Sequence, residues 1–172
     1  MTFVYYNVAA GEKIARVSAN MAMAADMEVR ASSTATTGAY SSACQRGLPA
    51  ILMERGGGGK FTDSEVQAYK RDVKNIMIRM GLLSGEEVHT VQQKNVTRAE
   101  YLEAETDGLW YPVFSAGDTF AGGAVLGTVR DIWGNLLREY RADYPGIVLY
   151  QTVGLGVKTG DPLIAYGEYV DR

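Results

Sequence analysis

Leu48-Pro49-Ala50-Ile51-Leu52-Met53-Glu54-Arg55-Gly56-Gly57-Gly58-Gly59 places one carboxylate between a short apolar run and four consecutive glycines. Residues 50 to 53 read as a short buried strand, and Glu54 is the first charge at its carboxyl end. In α/β proteins, ligands gather at the carboxyl edge of the sheet. Glycines beside a carboxylate leave open backbone where a small molecule can approach closely. Glu54 is therefore a candidate general base. A strand-end glutamate paired with a neighbouring arginine is the structural alternative. The glycines also invite comparison with a phosphate-cradling loop, but the spacing and the Lys-Ser/Thr pair of a P-loop are absent, and Lys60 alone does not supply them. A turn is the better reading.

The segments around this stretch alternate helix and strand. Ile14, Val17, Met21 and Ala25 recur at helical spacing over residues 12 to 25. Residues 27 to 31 read as a short strand, the small polar run Ser32 to Gly38 as a loop, and residues 39 to 46 as a second helix. Thr62-Asp63-Ser64-Glu65 is a capping box. Val66, Tyr69, Val73, Ile76, Met77 and Met80 then predict one apolar helix face, and Gly81 ends the helix. This alternation predicts a mostly parallel sheet with flanking helices. Two readable strands before residue 60 are too few to cover those helices, so the sheet reads as partial, with an exposed edge that favours association.

Past residues 81 to 105 the character changes. Eleven of the twenty glycines fall from Gly108 onward, with room only for short strands between them. Ser115 to Gly127 is echoed by Val153 to Ile164, each as strand, glycine turn and strand. Such an echo predicts a small β-barrel or sandwich of two similar halves. The expected division is residues 1–85 as an α/β part and residues 86–172 as a β-rich part.

Composition narrows the classes of function. Net charge is -3 over 172 residues with acids and bases interspersed, which gives no footprint for nucleic acid or a charged membrane surface. No apolar run reaches the length of a membrane span, and Met1 to Asn7 lacks the pattern of a signal peptide. Cys44 is the single cysteine, consistent with a reducing compartment, and the expected location is the cytoplasm. One histidine, His89, and one cysteine cannot build the common His-rich or Cys-rich zinc sites. No nucleophile elbow accompanies His89, so a serine triad has no support.

The order and spacing of Ser33-Thr34-Ala35-Thr36-Thr37-Gly38-Ala39-Tyr40, then Gln45-Arg46-Gly47 through Gly57, the capped helix and the echoing Gly-Asp segments resemble the succinylglutamate desuccinylase/aspartoacylase family, zinc-dependent deacylases related to zinc carboxypeptidases. The resemblance runs over nearly the whole chain. It implies a partial carboxypeptidase-like mixed sheet followed by a barrel-sandwich-like domain. The latter also resembles biotinyl and lipoyl carriers, but Asp131 to Leu136 has no lysine to modify.

The resemblance further implies hydrolysis of the amide bond of a small N-acylated amino acid or related compound. Zinc would activate a water, Glu54 would take its proton and pass one to the leaving amine, and Tyr40 would face substrate. Arg46 and Arg55 are candidates for a substrate carboxylate or for Glu54 itself. Phe3 to Tyr6 resembles the segment after the family's second zinc-binding histidine, so the family's metal ligands are expected outside this sequence. Three explanations stay open: a truncated enzyme, one piece of a split enzyme completed by another chain, and a remnant that binds without catalysis. In each, the chain alone is expected to bind zinc weakly and to oligomerise or pair with a complementing chain.

Overall fold

A computed structural model describes residues 1–170, with three helices and two sheets among them. The architecture is mixed α/β, and the strands close into no barrel among the described residues. The chain forms two compact units, Met1–Thr97 with Val170, and Arg98–Tyr169.

In the first unit the elements run β1 (Phe3–Asn7), α1 (Glu12–Ala24), β2 (Val29–Ser33), α2 (Ala39–Gln45), β3 (Ile51–Glu54), α3 (Asp63–Arg79) and the start of β4 (Lys94–Glu103). Their strand order is β3-β1-β2-β4. β1, β2 and β4 are parallel, with Phe3 level with Val29 and Val29 level with Lys94. β3 departs from the expectation twice. It runs antiparallel to β1, from Ile51 opposite Tyr6 to Glu54 opposite Phe3, and it is an edge strand with Leu52 and Glu54 exposed rather than a buried one. With only β1 beside it, one long side of β3 carries unpaired backbone groups.

The core of this unit is Val4, Ala22, Ala25 and Met27, with Tyr6, Ile51, Met53 and Tyr69 packed on it. On α1, Ser18, Ala22 and Ala24 are the buried residues, while Ile14, Val17 and Met21 are only half covered. Small residues let the helix lie close on the sheet, which the longer apolar ones would prevent.

α3 begins as expected. The Thr62 hydroxyl accepts from the Glu65 amide at 3.3 Å, and the Glu65 carboxylate accepts from the Thr62 amide at 2.7 Å. Its facing is only partly the one expected. Asp72 and Asn75 are the buried residues; of the expected stripe, Val66, Tyr69 and Ile76 are half covered, and Val73, Met77 and Met80 are exposed. The reason is that Asp72 and Asn75 meet partners from distant segments. Asn75 brackets the Val88 peptide, donating to its carbonyl at 2.8 Å and accepting from its amide at 3.0 Å.

The second unit holds the remainder of β4, β5 (Gly108–Pro112), β6 (Thr119–Phe120), β7 (Val125–Arg130), β8 (Leu136–Arg141), β9 (Gly146–Gln151), β10 (Gly156–Val157) and β11 (Pro162–Val170). One sheet is ordered β10-β5-β7-β8; β4, β11, β9 and β6 follow one another in the other. Trp110, Leu126, Val129, Tyr140, Val148, Leu163 and Tyr166 form its core. Gly127 has no side chain because a Cβ there would run into the Trp110 ring, which packs edge-on against Tyr140 at 5.7 Å.

The sequence echo is real at its turns. In Ser115–Asp118 and in Lys158–Asp161 the fourth amide donates to the first carbonyl, at 3.0 and 2.9 Å. In both, the aspartate carboxylate accepts from the first residue's amide at 2.8 Å. Gly117 and Gly160 stand third with φ of 97° and 88°, the left-handed position that a type II turn gives to glycine.

Candidate active site

Strand alternation decides what happens at the end of β3. Ile51 and Met53 face the core, Leu52 and Glu54 face out, and the next residue, Arg55, turns in again. Glu54 is exposed, and its carboxylate takes part in no hydrogen bond or ion pair among the described residues. Arg55 is the reverse: its side chain is 7% exposed and faces the fully buried Asp72. The Arg55 guanidinium donates to Asp72 through Nε at 2.9 Å and through Nη2 at 2.5 Å, and Nη2 also donates to the Asp26 carbonyl at 2.8 Å. The other Asp72 oxygen accepts from the Asp26 amide at 2.8 Å.

Asp26 extends this buried network. Its carboxylate accepts from the Thr90 amide and hydroxyl, both at 2.7 Å, from the Val91 amide at 3.1 Å, and pairs with Arg71 at 2.8 Å. Burial alone would push the Asp26 carboxyl up, but the Thr90 and Val91 hydrogen bonds and Arg71 outweigh it and hold the group below its ordinary value.

Tyr69 of α3 lies under the same strand end. Its hydroxyl donates to the Met53 carbonyl at 3.2 Å, while the Arg55 guanidinium sits 5.6 Å from its ring centroid. Burial raises the Tyr69 hydroxyl above its ordinary range; the Arg55 amide opposes this and the nearby Glu54 charge adds to it.

The glycines after Arg55 form a closed turn. Lys60 donates its amide to the Gly57 carbonyl at 3.2 Å, across Gly58 and Gly59 with φ of 60° and 70°. Two consecutive positive φ values make this a type I′ turn, which residues with side chains adopt poorly. Gly56 rests on the cap of α3: a Cβ there would lie 3.1 Å from Glu65 Oε1. The loop is a tight turn, as expected, and Lys60 holds no ion pair among the described residues.

Tyr40 is half-buried near the start of α2, and its hydroxyl makes no hydrogen bond among the described residues. Arg46 is exposed at the end of the same helix. Both belong to the connection that leaves β2 after Ser33, level with Asn7, and enters β3 at Ile51, level with Tyr6. Glu54 is level with Phe3, at the other end of β1. At 3.2–3.4 Å per residue the two ends are roughly 13 Å apart. The structure thus brings Arg55, Tyr69 and Asp72 to the strand end that bears Glu54, while the connection that carries Tyr40 and Arg46 starts and ends at the other end of β1.

No three His, Cys, Asp or Glu side chains come together as a metal site among the described residues. His89 pairs with Glu87 at 2.9 Å, and Arg79 takes the same carboxylate, drawing it below its usual value. Cys44 is buried beside Ser18 at 3.7 Å. Asp26 and Asp72 were not singled out in the sequence. The signal for Asp72 was its spacing from Asn75, two polar residues three apart that flank the apolar stripe on the side of Tyr69 and Ile76.

The fold has close counterparts among solved structures. The product-bound ectoine utilization protein EutE (DoeB) from Ruegeria pomeroyi superposes with a TM-score of 0.84 over 97% of this chain and 53% of its own, at 22% identity. A succinylglutamate desuccinylase/aspartoacylase from Rhodobacter sphaeroides gives 0.81 over 99% of this chain and 54% of its own, at 20% identity. The chain therefore shares the fold of these structures. In sequence, N-alpha-acetyl-L-2,4-diaminobutyric acid deacetylase of Halomonas elongata is 28% identical over 127 residues, 70% of this chain and 37% of that protein. No family model matches. The chain is similar in fold to solved structures of the succinylglutamate desuccinylase/aspartoacylase family. It spans about half the length of the solved relatives and just over a third of the curated one.

Proposed function

We propose that this chain supplies the general base of a deacylase that hydrolyses the amide bond of a small N-acylated amino acid or related compound. Glu54 takes a proton from the attacking water and delivers one to the departing amine, leaving a carboxylic acid and a free amine. The observation that carries the reading is the Glu54 carboxylate itself. It stands exposed at the end of β3 without a hydrogen bond or ion pair among the described residues, while the adjacent Arg55 is fully engaged elsewhere. The substrate class is supported by the name of the Halomonas relative, which acts on an N-acetylated diamino acid.

Zinc is the cofactor the resemblance implies. The described residues do not fit a metal site, so no step is drawn through it. In this reading further polypeptide completes the site, the chain alone is inactive, and the enzyme is cytoplasmic. The first unit is a partial carboxypeptidase-like sheet and the second a barrel-sandwich-like appendage. Tyr40 and Arg46, on the connection that starts and ends at the other end of β1, would meet a different part of the substrate than the scissile bond.

The test is hydrolysis of a panel of N-acyl amino acids, N-α-acetyl-L-2,4-diaminobutyrate included, by the protein purified from its native source. Glu54→Gln should lower kcat by about 10²- to 10⁴-fold, the range of a positioned general base. Unchanged turnover would sink the assignment. A second reading, a non-catalytic assembly module, draws support from the free side of β3 and from exposed Val73, Met77 and Met80. Light scattering separates it: a stable dimer of the chain supports assembly, and a monomer counts against it.

A further inference from the structure

We infer that Tyr69, Arg55 and Asp72 form a clamp whose task is to position Glu54. This rests on the general-base reading of Glu54. The peptide that enters Glu54 meets the Tyr69 hydroxyl, and the residue that follows Glu54 is anchored by its side chain. Tyr69 Oη donates to the Met53 carbonyl at 3.2 Å, and Arg55 is tied to Asp72 and to the Asp26 carbonyl, so the backbone is held on both sides of Glu54. The two anchors also meet. The Tyr69 ring lies against the Arg55 guanidinium, 5.6 Å from its centroid, and the guanidinium is fastened to buried Asp72 and to the Asp26 carbonyl.

β3 needs such a device. It is a four-residue edge strand, bonded to β1 alone, and the glycine turn begins one residue beyond it. A strand end so placed frays unless something outside the ladder restrains it. The clamp restrains the backbone and leaves the Glu54 side chain untouched, free to exchange protons. A salt bridge to Glu54 would hold the residue equally well but would occupy the carboxylate. Tyr69, Arg55 and Asp72 are thus positioning residues; none of them contacts the reacting atoms.

Tyr69→Phe removes the hydroxyl and keeps the ring, and Asp72→Asn keeps the shape and removes the charge. Two readouts test the clamp. In the protein from its native source, Tyr69→Phe should lower kcat by about tenfold with KM within about twofold, because a base displaced by a fraction of an ångström still permits binding. In the chain itself, hydrogen exchange at the amides of β3 should quicken by about tenfold relative to the amides of α3, since the strand end loses the Tyr69 hydroxyl that restrains it. Asp72→Asn should do the same more weakly, with the remainder of the first unit still protected. Amides of β3 that exchange no faster than in the wild type overturn the clamp, as does a Tyr69→Phe enzyme with unchanged kcat. If Glu54→Gln leaves hydrolysis intact, the functional reading falls and the clamp is judged on the β3 amides alone.

Discussion

Tyr69 Oη reaches the Met53 carbonyl at 3.2 Å, so a helix side chain takes over where the β1–β3 ladder ends. Sixteen residues separate the two in the chain, and the glycine turn lies between them. The strand end is therefore tied directly to α3, one residue before Glu54.

Removing Asp72 should be costly. Asp72→Ala strands the Arg55 guanidinium in a nearly dry site and deprives the Asp26 amide of its acceptor. A buried pair broken on one side typically loses about 3–5 kcal/mol. Urea unfolding of the chain should show a loss of that size for Asp72→Ala and a smaller one for Asp72→Asn. A loss below about 1 kcal/mol would mean the pair is not buried in solution.

Asp26 makes the first unit acid-sensitive. Its carboxyl is held below the ordinary aspartate value of 3.8, so the folded chain binds this proton less readily than the unfolded one. The resulting stability is fully present above that ordinary value and is lost as pH falls through the lower folded value. Asp26→Asn should therefore flatten the acid limb of a stability-versus-pH curve below about pH 4, which thermal unfolding across pH 2–6 would register. An acid limb identical to the wild type's would count against it.

Gly127→Ala should destabilise the second unit by about 1–3 kcal/mol, because the new methyl group must displace the Trp110 ring. Trp110 and Trp133 are the two tryptophans, and Trp133 is exposed, so a change in tryptophan fluorescence on mutation reports the buried ring. A variant with wild-type stability and spectrum would show that the ring has room to shift.

Met77→Lys is expected to change stability by no more than about 0.5 kcal/mol, since Met77 lies on the outward face of α3. Had the helix docked as its apolar spacing suggests, the same change would cost several kcal/mol. Urea unfolding of this one variant decides the facing of the helix.

Local signals in the sequence were read well where the structure is local. The capping box at Thr62, the stop at Gly81, the short strand before the glycines and the paired Gly-Asp turns all depend on neighbours a few residues apart. Strand direction is different. The same four residues serve a parallel or an antiparallel ladder, and only the short return through α2 fixes that β3 runs back along β1. The facing of α3 was legible only in part, for a related reason. Periodicity identifies a stripe, but Asp72 is buried because Arg55 and Asp26 meet it, contacts that span 17 and 46 residues. Glu54 was legible as an unusual carboxylate, and the commitment of Arg55 to Asp72 was not.

The polar seat of α3 has a consequence for angle. A helix seated on methyl groups can roll by a few degrees at little cost, because dispersion contacts have no preferred direction. One seated through Asp72 and Asn75 cannot, since hydrogen bonds weaken steeply once misaligned. The bearing of this helix is thus set by directional bonds at two points one turn apart, and Tyr69, one turn further back, inherits that bearing as an aim on the strand end.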